Sequence, residues 1–131
     1  MRIDHIAIWC DNLESMREFY TTYFACHSND IYRNPKKGYS AYFLTFDGGS
    51  SRIELMHRTD IEIEPQRRGY EKGMAHLSIC IGERWEVDSL VEKLRADGHP
   101  ILSECRTTGD GYYEAVVSDI EGNLIEITAN K

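Results

Sequence analysis

Residues 3–10 read Ile-Asp-His-Ile-Ala-Ile-Trp-Cys, and residues 74–81 read Met-Ala-His-Leu-Ser-Ile-Cys-Ile. Both segments place a histidine third and follow it with alternating apolar residues, the pattern of a half-buried strand. An internal repeat of this length constrains the fold more than any single motif, because each copy must be one supersecondary unit.

The match continues beyond the strands. In the first copy Leu13, Met16, Phe19, Tyr20 and Tyr23 recur at helical spacing, with Asp11 as the expected N-cap and Glu14 three residues later. In the second, Val87, Leu90, Val91 and Leu94 form the apolar stripe, and Gly98 after Asp97 marks the stop. Each copy then closes with two strands. Residues 40–46 lead through Asp47-Gly48-Gly49 to Arg52-Ile53-Glu54-Leu55, and residues 112–117 lead through Asp119 and Glu121-Gly122-Asn123 to Leu124-Ile125-Glu126-Ile127. Gly and Asn supply the positive φ angles that tight hairpins require. His5 to Glu54 spans 49 residues and His76 to Glu126 spans 50, so histidine and glutamate recur at matching places in a matching pattern.

The expected architecture is α+β: two βαβββ modules forming a curved mixed sheet around a metal site. Residues 1–131 make one domain, with module 1 at about 1–58, a linker at about 59–72 and module 2 at about 73–131. The linker region is polar and charged (Asp60, Glu62, Glu64, Arg67, Arg68, Glu71, Lys72) and reads as an exposed crossover. A module of about 60 residues has a marginal core alone. The sheets are therefore expected to join edge to edge or through a partner chain.

Lys and Arg number 15 against 22 Asp and Glu, a net charge of -7. Nucleic-acid binding by a basic face is excluded on that balance. No apolar run approaches the roughly 18 residues of a membrane span, and no signal-peptide pattern is present. Cys10, Cys26, Cys80 and Cys105 form no C-x-x-C pair and read as reduced thiols of a cytoplasmic protein.

Strand alternation sorts the remaining residues by face. Ile6 and Ile8, Leu77, Ile79 and Ile81, Ile53 and Leu55, and Ile125 and Ile127 are expected against the helices. Opposite them stand His5, Ala7 and Trp9; His76, Ser78 and Cys80; Arg52, Glu54 and Met56; and Leu124, Glu126 and Thr128. Each module thus offers one His and one Glu on its open face. A lone His or Glu on a strand is ordinarily solvated or hydrogen-bonded. The repeat couples the four, and a pseudo-twofold relation between modules would gather His5, Glu54, His76 and Glu126 around one divalent ion. Two carboxylates cancel its charge, and the donor set suits Zn, Ni, Co, Mn or Fe(II). A closed four-ligand site would be structural, and an expanded one with water would be open for chemistry.

The sequence resembles the vicinal oxygen chelate superfamily, and within it the small bacterial glyoxalase I-like (lactoylglutathione lyase-related) members. The resemblance covers nearly the whole chain. It is carried by His5-Ile-Ala-Ile, by Asn12-Leu13-Glu14 with Phe19-Tyr20, by Ile53-Glu54-Leu55, by Ala75-His76-Leu77-Ser78-Ile79 and by the run from Asp119 to Ile127. It implies His5, Glu54, His76 and Glu126 as metal ligands, Ni, Co or Zn as the ion, and a homodimer with the site at or near the subunit interface. The reaction implied is isomerisation of a hemithioacetal of methylglyoxal and a thiol cosubstrate. Glu126, or Glu54 by symmetry, would be the catalytic carboxylate that moves the proton. Epimerase or dioxygenase chemistry, and a metal-containing binding protein without turnover, are the alternatives.

Glyoxalase I carries an arginine four residues after its first His and an asparagine four after its first-module Glu, both of which help bind glutathione. This chain has Trp9 and Arg58 there. Trp9, Met56, Arg58 and Tyr113 are the expected substrate-binding residues. Residues 106–113, with glycines, hydroxyls and aromatics, read either as a mobile loop over the metal or as a plain hairpin connection. Cys80 has no Cys–His–Asn arrangement and is assigned no nucleophilic role, while His27, His57 and His99 lack repeat partners and read as structural.

Overall fold

Alternating Ile6 and Ile8 need a partner strand with the same parity, and Ile53 and Leu55 provide it. In the computed structural model, which describes residues 1–62 and 68–131, β1 (His5–Trp9) and β5 (Arg52–Arg58) run parallel, with Ile6 opposite Ile53 and Ile8 opposite Leu55. The chain divides into two units, Met1–Glu64 and Pro65–Lys131. Glu64 and Arg67 of the expected linker lie outside the described residues.

In the first unit the order is β1, α1 (Leu13–Tyr23), β2 (Cys26–Ser28), β3 (Tyr32–Asn34), a single 3₁₀ turn at Pro35–Lys37, β4 (Tyr39–Phe46) and β5. The sheet runs β1-β5-β4-β2, and β3 pairs with β4 as well. β2 lies against Leu44–Phe46 and β3 against Tyr39–Ala41, so the two short strands occupy one edge position with a break between them. Asn29 spans the break. Its side-chain oxygen accepts from the Phe43 amide at 2.7 Å, and its own amide donates to the Phe43 carbonyl at 3.2 Å. The unit is therefore a βαβββ module whose second strand is interrupted.

Met16, Phe19, Tyr20, Leu44, Leu55 and Phe24 form the core between α1 and the sheet. Each such side chain withdrawn from water contributes about 1.5–3 kcal/mol. Tyr23 is only half-buried, and Phe24, one residue past the helix, takes the core place instead. Asn12, not Asp11, caps the helix. It is in extended backbone at φ -120°, and its side-chain oxygen accepts from the Ser15 amide at 3.0 Å. Glu14 is thereby released from a capping role and accepts from the Tyr42 hydroxyl and from Arg17.

The second unit repeats the plan: β6 (Leu77–Gly82), α2 (Arg84–Ala96), β7 (Ile101–Thr107), β8 (Tyr113–Ser118) and β9 (Leu124–Ala129), in the order β6-β9-β8-β7 with β6 parallel to β9. Val87, Val91, Leu94, Val117, Ile125 and Ile127 are its buried core. α2 opens with a capping box in which the Glu83 amide donates to Glu86 at 2.6 Å. Gly82, at φ 127°, makes that approach possible, because a Cβ there would collide with the Glu86 carboxylate. Gly98 ends the helix at φ 86°, and the His99 amide donates back to the Leu94 carbonyl at 2.9 Å. The stretch 106–113 is the end of β7, a short turn and the start of β8. No described helix is long and apolar enough to cross a membrane.

Candidate metal centre

Because β1 and β5 are parallel neighbours in register, His5 and Glu54 leave adjacent strands on the face opposite α1. Nε2 of His5 lies 3.6 Å from Oε2 of Glu54. In the second unit Nε2 of His76, one residue before β6, lies 3.6 Å from Oε2 of Glu126 on β9. The histidine rings are open to solvent, while the carboxylates are partly sheltered, at 15% and 19% exposure. Among the described residues no group of three or more His, Cys, Asp or Glu side chains is arranged to hold a metal; each unit offers a pair.

The atoms surrounding each pair differ. On the first, Oδ2 of Asp4 stands 3.0 Å from Nδ1 of His5, and Arg52 pairs with the same carboxylate. The hydrogen bonds from His5 and then from Arg52 hold the Asp4 carboxyl down at about 2. The Tyr39 hydroxyl donates to Oε1 of Glu54 at 2.8 Å, leaving Oε2 toward His5. Burial, followed by the hydrogen bond to Glu54, pushes the Tyr39 phenol up to about 12. The Phe43 and His5 rings meet at right angles, 5.4 Å between centroids.

On the second pair no aromatic hydroxyl among the described residues takes that role. Glu114, buried on β8, is hydrogen-bonded to Glu126 and accepts from Nη2 of Arg106 at 2.9 Å. Burial and then the Glu126 charge raise the Glu114 carboxyl above the usual carboxylate range, against the opposing pull of Arg106.

The donors fit a divalent cation. Two ligand atoms each about 2.1 Å from one ion stand roughly 3.0–3.4 Å apart at right or tetrahedral angles. Each Nε2–Oε2 separation is therefore a few tenths of an ångström from a shared-ligand geometry. On the first pair the outer shell is also built, with a carboxylate on the second imidazole nitrogen and a hydroxyl on the second carboxylate oxygen.

Of the residues expected to touch substrate, Trp9 and Arg58 come together. The Arg58 guanidinium lies 5.6 Å from the centroid of the Trp9 ring, and Tyr39 meets Trp9 edge-on at 6.3 Å. Met56 lies between Glu54 and Arg58 on β5. Tyr113 lies elsewhere. Its hydroxyl donates to Asp88 of α2 at 2.6 Å and Arg84 stacks over its ring, so it faces the helix rather than the Glu126 side. Tyr39, Asp4, Glu114 and Arg106 were not singled out from the sequence. His27 pairs with Asp47, and His57 bonds the Cys10 carbonyl at 2.9 Å, both away from the candidate ligands.

The sequence profile of the Glyoxalase/Bleomycin resistance protein/Dioxygenase superfamily matches residues 2–127, and the chain belongs to that superfamily. Its members commonly bind a divalent metal, and they include enzymes. Among curated proteins, the uncharacterized protein YqjT of Bacillus subtilis (strain 168) is 24% identical over 133 residues, covering 95% of this chain and 96% of that one. Among solved structures, a glyoxylase/bleomycin resistance protein/dioxygenase domain from Frankia sp. EAN1pec superposes with a TM-score of 0.85 at 16% identity, covering 100% of this chain and 93% of the other. The trypanothione-dependent glyoxalase I of Leishmania major gives 0.78 at 23% identity, over 98% of this chain and 86% of that one. At these identities the likeness shows the fold: two βαβββ modules.

Proposed function

We propose that the protein is a metal-dependent, glyoxalase I-like lyase, in which His5, Glu54, His76 and Glu126 together hold one divalent ion of the nickel, cobalt or zinc type. The observation that supports this reading is the duplicated pair: each unit sets a histidine Nε2 and a glutamate Oε2 at the same 3.6 Å separation. Two such pairs, from two modules of one chain or of two copies in a homodimer, make a neutral four-ligand set for a dication. A cytoplasmic location suits a chain in which Cys10, Cys26, Cys80 and Cys105 form no disulfide.

When bound, the ion supplies Lewis-acid polarisation of two neighbouring substrate oxygens. His5 and His76 would hold the ion through imidazole nitrogen. Asp4 orients the His5 ring through Nδ1, and Tyr39 holds one oxygen of Glu54, so Glu54 has less freedom to leave its place. Glu126 is the carboxylate assigned to the proton transfer. It takes the proton from the hemithioacetal carbon, the C–H electron pair passes into an enediolate, and the proton returns to the adjacent carbon while the hydroxyl proton passes from the first oxygen to the second. The product is an isomer, so no oxidant is consumed. Glu114, its carboxyl raised by burial and by the neighbouring Glu126 charge, shares a hydrogen bond with Glu126 and accepts from Arg106, which ties the Glu126 side chain into β8.

The test is turnover of the methylglyoxal–glutathione adduct by metal-stripped protein reloaded with Ni, Co, Zn or Mn, beside Glu126→Gln. Metal-dependent activity that collapses in the variant supports the reading. No turnover with any metal, despite tight metal binding, would leave a metal-containing binding protein.

A further inference from the structure

Trp9, Tyr32, Asn34, Lys37, Tyr39 and Arg58 line a half-open cavity of about 280 Å³ within the first unit. They come from β1, β3, the 3₁₀ turn, β4 and β5, so the cavity is built by the module rather than by one loop. Tyr32 and Tyr39 stand 6.1 Å apart between ring centroids at 61°, and Trp9 meets Tyr39 at 89°. Both neighbours thus meet the Tyr39 ring at steep angles and form walls, not a stack.

The polar groups are unevenly satisfied. Arg58 is held by both oxygens of Asp60, so its charge is neutralised where it lies over Trp9. Lys37 makes no ion pair among the described residues, and Asn34 makes no side-chain cap or other side-chain hydrogen bond among them. A cationic ligand would gain from the rings but be repelled by Lys37. A neutral apolar one would leave Lys37 and Asn34 unused. A flat anion satisfies all of them at once. The volume lies just under the roughly 300–1,000 Å³ typical of sites for drug-sized ligands, which suits one ring bearing one acid group.

We propose that this cavity binds a small carboxylate with a flat aromatic or conjugated body, the acid taken by Lys37 and Asn34 and the ring walled by Trp9, Tyr32 and Tyr39. The same Tyr39 whose ring lines the cavity donates to Glu54, so the occupant lies one side chain away from a candidate metal ligand. That the occupant is the substrate, or part of it, rests on the metal reading above; that it binds does not.

The experiment titrates the full-length, metal-free protein with benzoate, phenylacetate and indole-3-carboxylate, and with their neutral amides, by calorimetry. The acids bind about tenfold tighter than the amides, the scale of one charge-assisted contact. Lys37→Ala removes that preference and leaves amide binding in place. Trp9→Ala weakens both series alike, with thermal melts confirming that each variant is folded. Equal binding of acids and amides, no binding of either series, or a preference that survives Lys37→Ala would overturn the proposal. Acid binding without turnover in any metal form would sink the lyase reading alone. Turnover without acid preference would sink the cavity alone.

Discussion

Oδ2 of Asp4 lies 3.0 Å from Nδ1 of His5, at the ring nitrogen turned away from Glu54. This contact fixes which imidazole nitrogen is free to bind a cation, and Ala75 stands in its place beside His76.

Asp4→Asn therefore lowers divalent-metal affinity by about tenfold or more, the usual scale for an outer-shell carboxylate. Competition against a coloured chelator measures it. Asp4 is exposed, so thermal melts of the metal-free variant stay close to the parent. An unchanged metal affinity would remove His5 from the ligand set or Asp4 from its support.

Tyr39→Phe deletes the donor to Oε1 of Glu54 and nothing else of the ring. The partly buried carboxylate loses a partner, so urea unfolding of the metal-free protein shows a loss of about 1 kcal/mol. The phenylalanine ring keeps the wall of the cavity, so acid binding there is retained in calorimetry.

A hydrogen bond from Tyr42 on β4 to Glu14 on α1 makes stability depend on pH at both ends. It holds the Glu14 carboxyl below its ordinary 4.5 in the fold, so its contribution is complete above pH 4.5 and lost as pH falls through the lowered value. It raises the Tyr42 phenol above its ordinary 10.0, so that contribution is present below pH 10.0 and lost as pH climbs through the raised value. Tyr42→Phe flattens both limbs in urea midpoints taken across pH. If parent and variant fall in parallel, the pair is not the cause.

The thiols should react in a set order. Burial pushes Cys26 and Cys105 up to about 11, and Cys10 is enclosed at 6% exposure. Cys80 is exposed, with its Sγ 3.3 Å from the Asn130 side-chain oxygen. Brief iodoacetamide treatment at neutral pH followed by mass mapping places the first label on Cys80. Early labelling of Cys26 or Cys105 would contradict the packing around them.

The repeat, the two helices and the His–Glu pairs were legible because they follow from local periodicity and from like spacing in two copies. What surrounds the pairs was not. Tyr39 reaches Glu54 across the antiparallel β4–β5 register, in which Phe43 is the residue opposite Glu54, and no spacing rule announces that diagonal reach. Arg106 and Glu114 are register partners on β7 and β8, but two shifts in the β7 ladder, at Ile101/Ser103 and Ser103/Arg106, break the alternation that would have shown their common face. Tyr113 stands where two readings overlapped, the closing strand from 112 and the connection up to 113; in β8 it is the neighbour of buried Glu114 and turns the other way, toward Asp88. The Asp11 cap failed for a simpler reason. Two adjacent side chains of nearly equal capping propensity stand there, and only backbone geometry chooses between them.

In each module the first strand pairs with the last, parallel, and bypasses everything between them in sequence. The glutamate of each pair follows its histidine by some fifty residues and arrives on the strand that closes the sheet. A module truncated before that strand therefore loses the sheet partner of its first strand and its His–Glu pair together, so one deletion costs the fold and the candidate site at once.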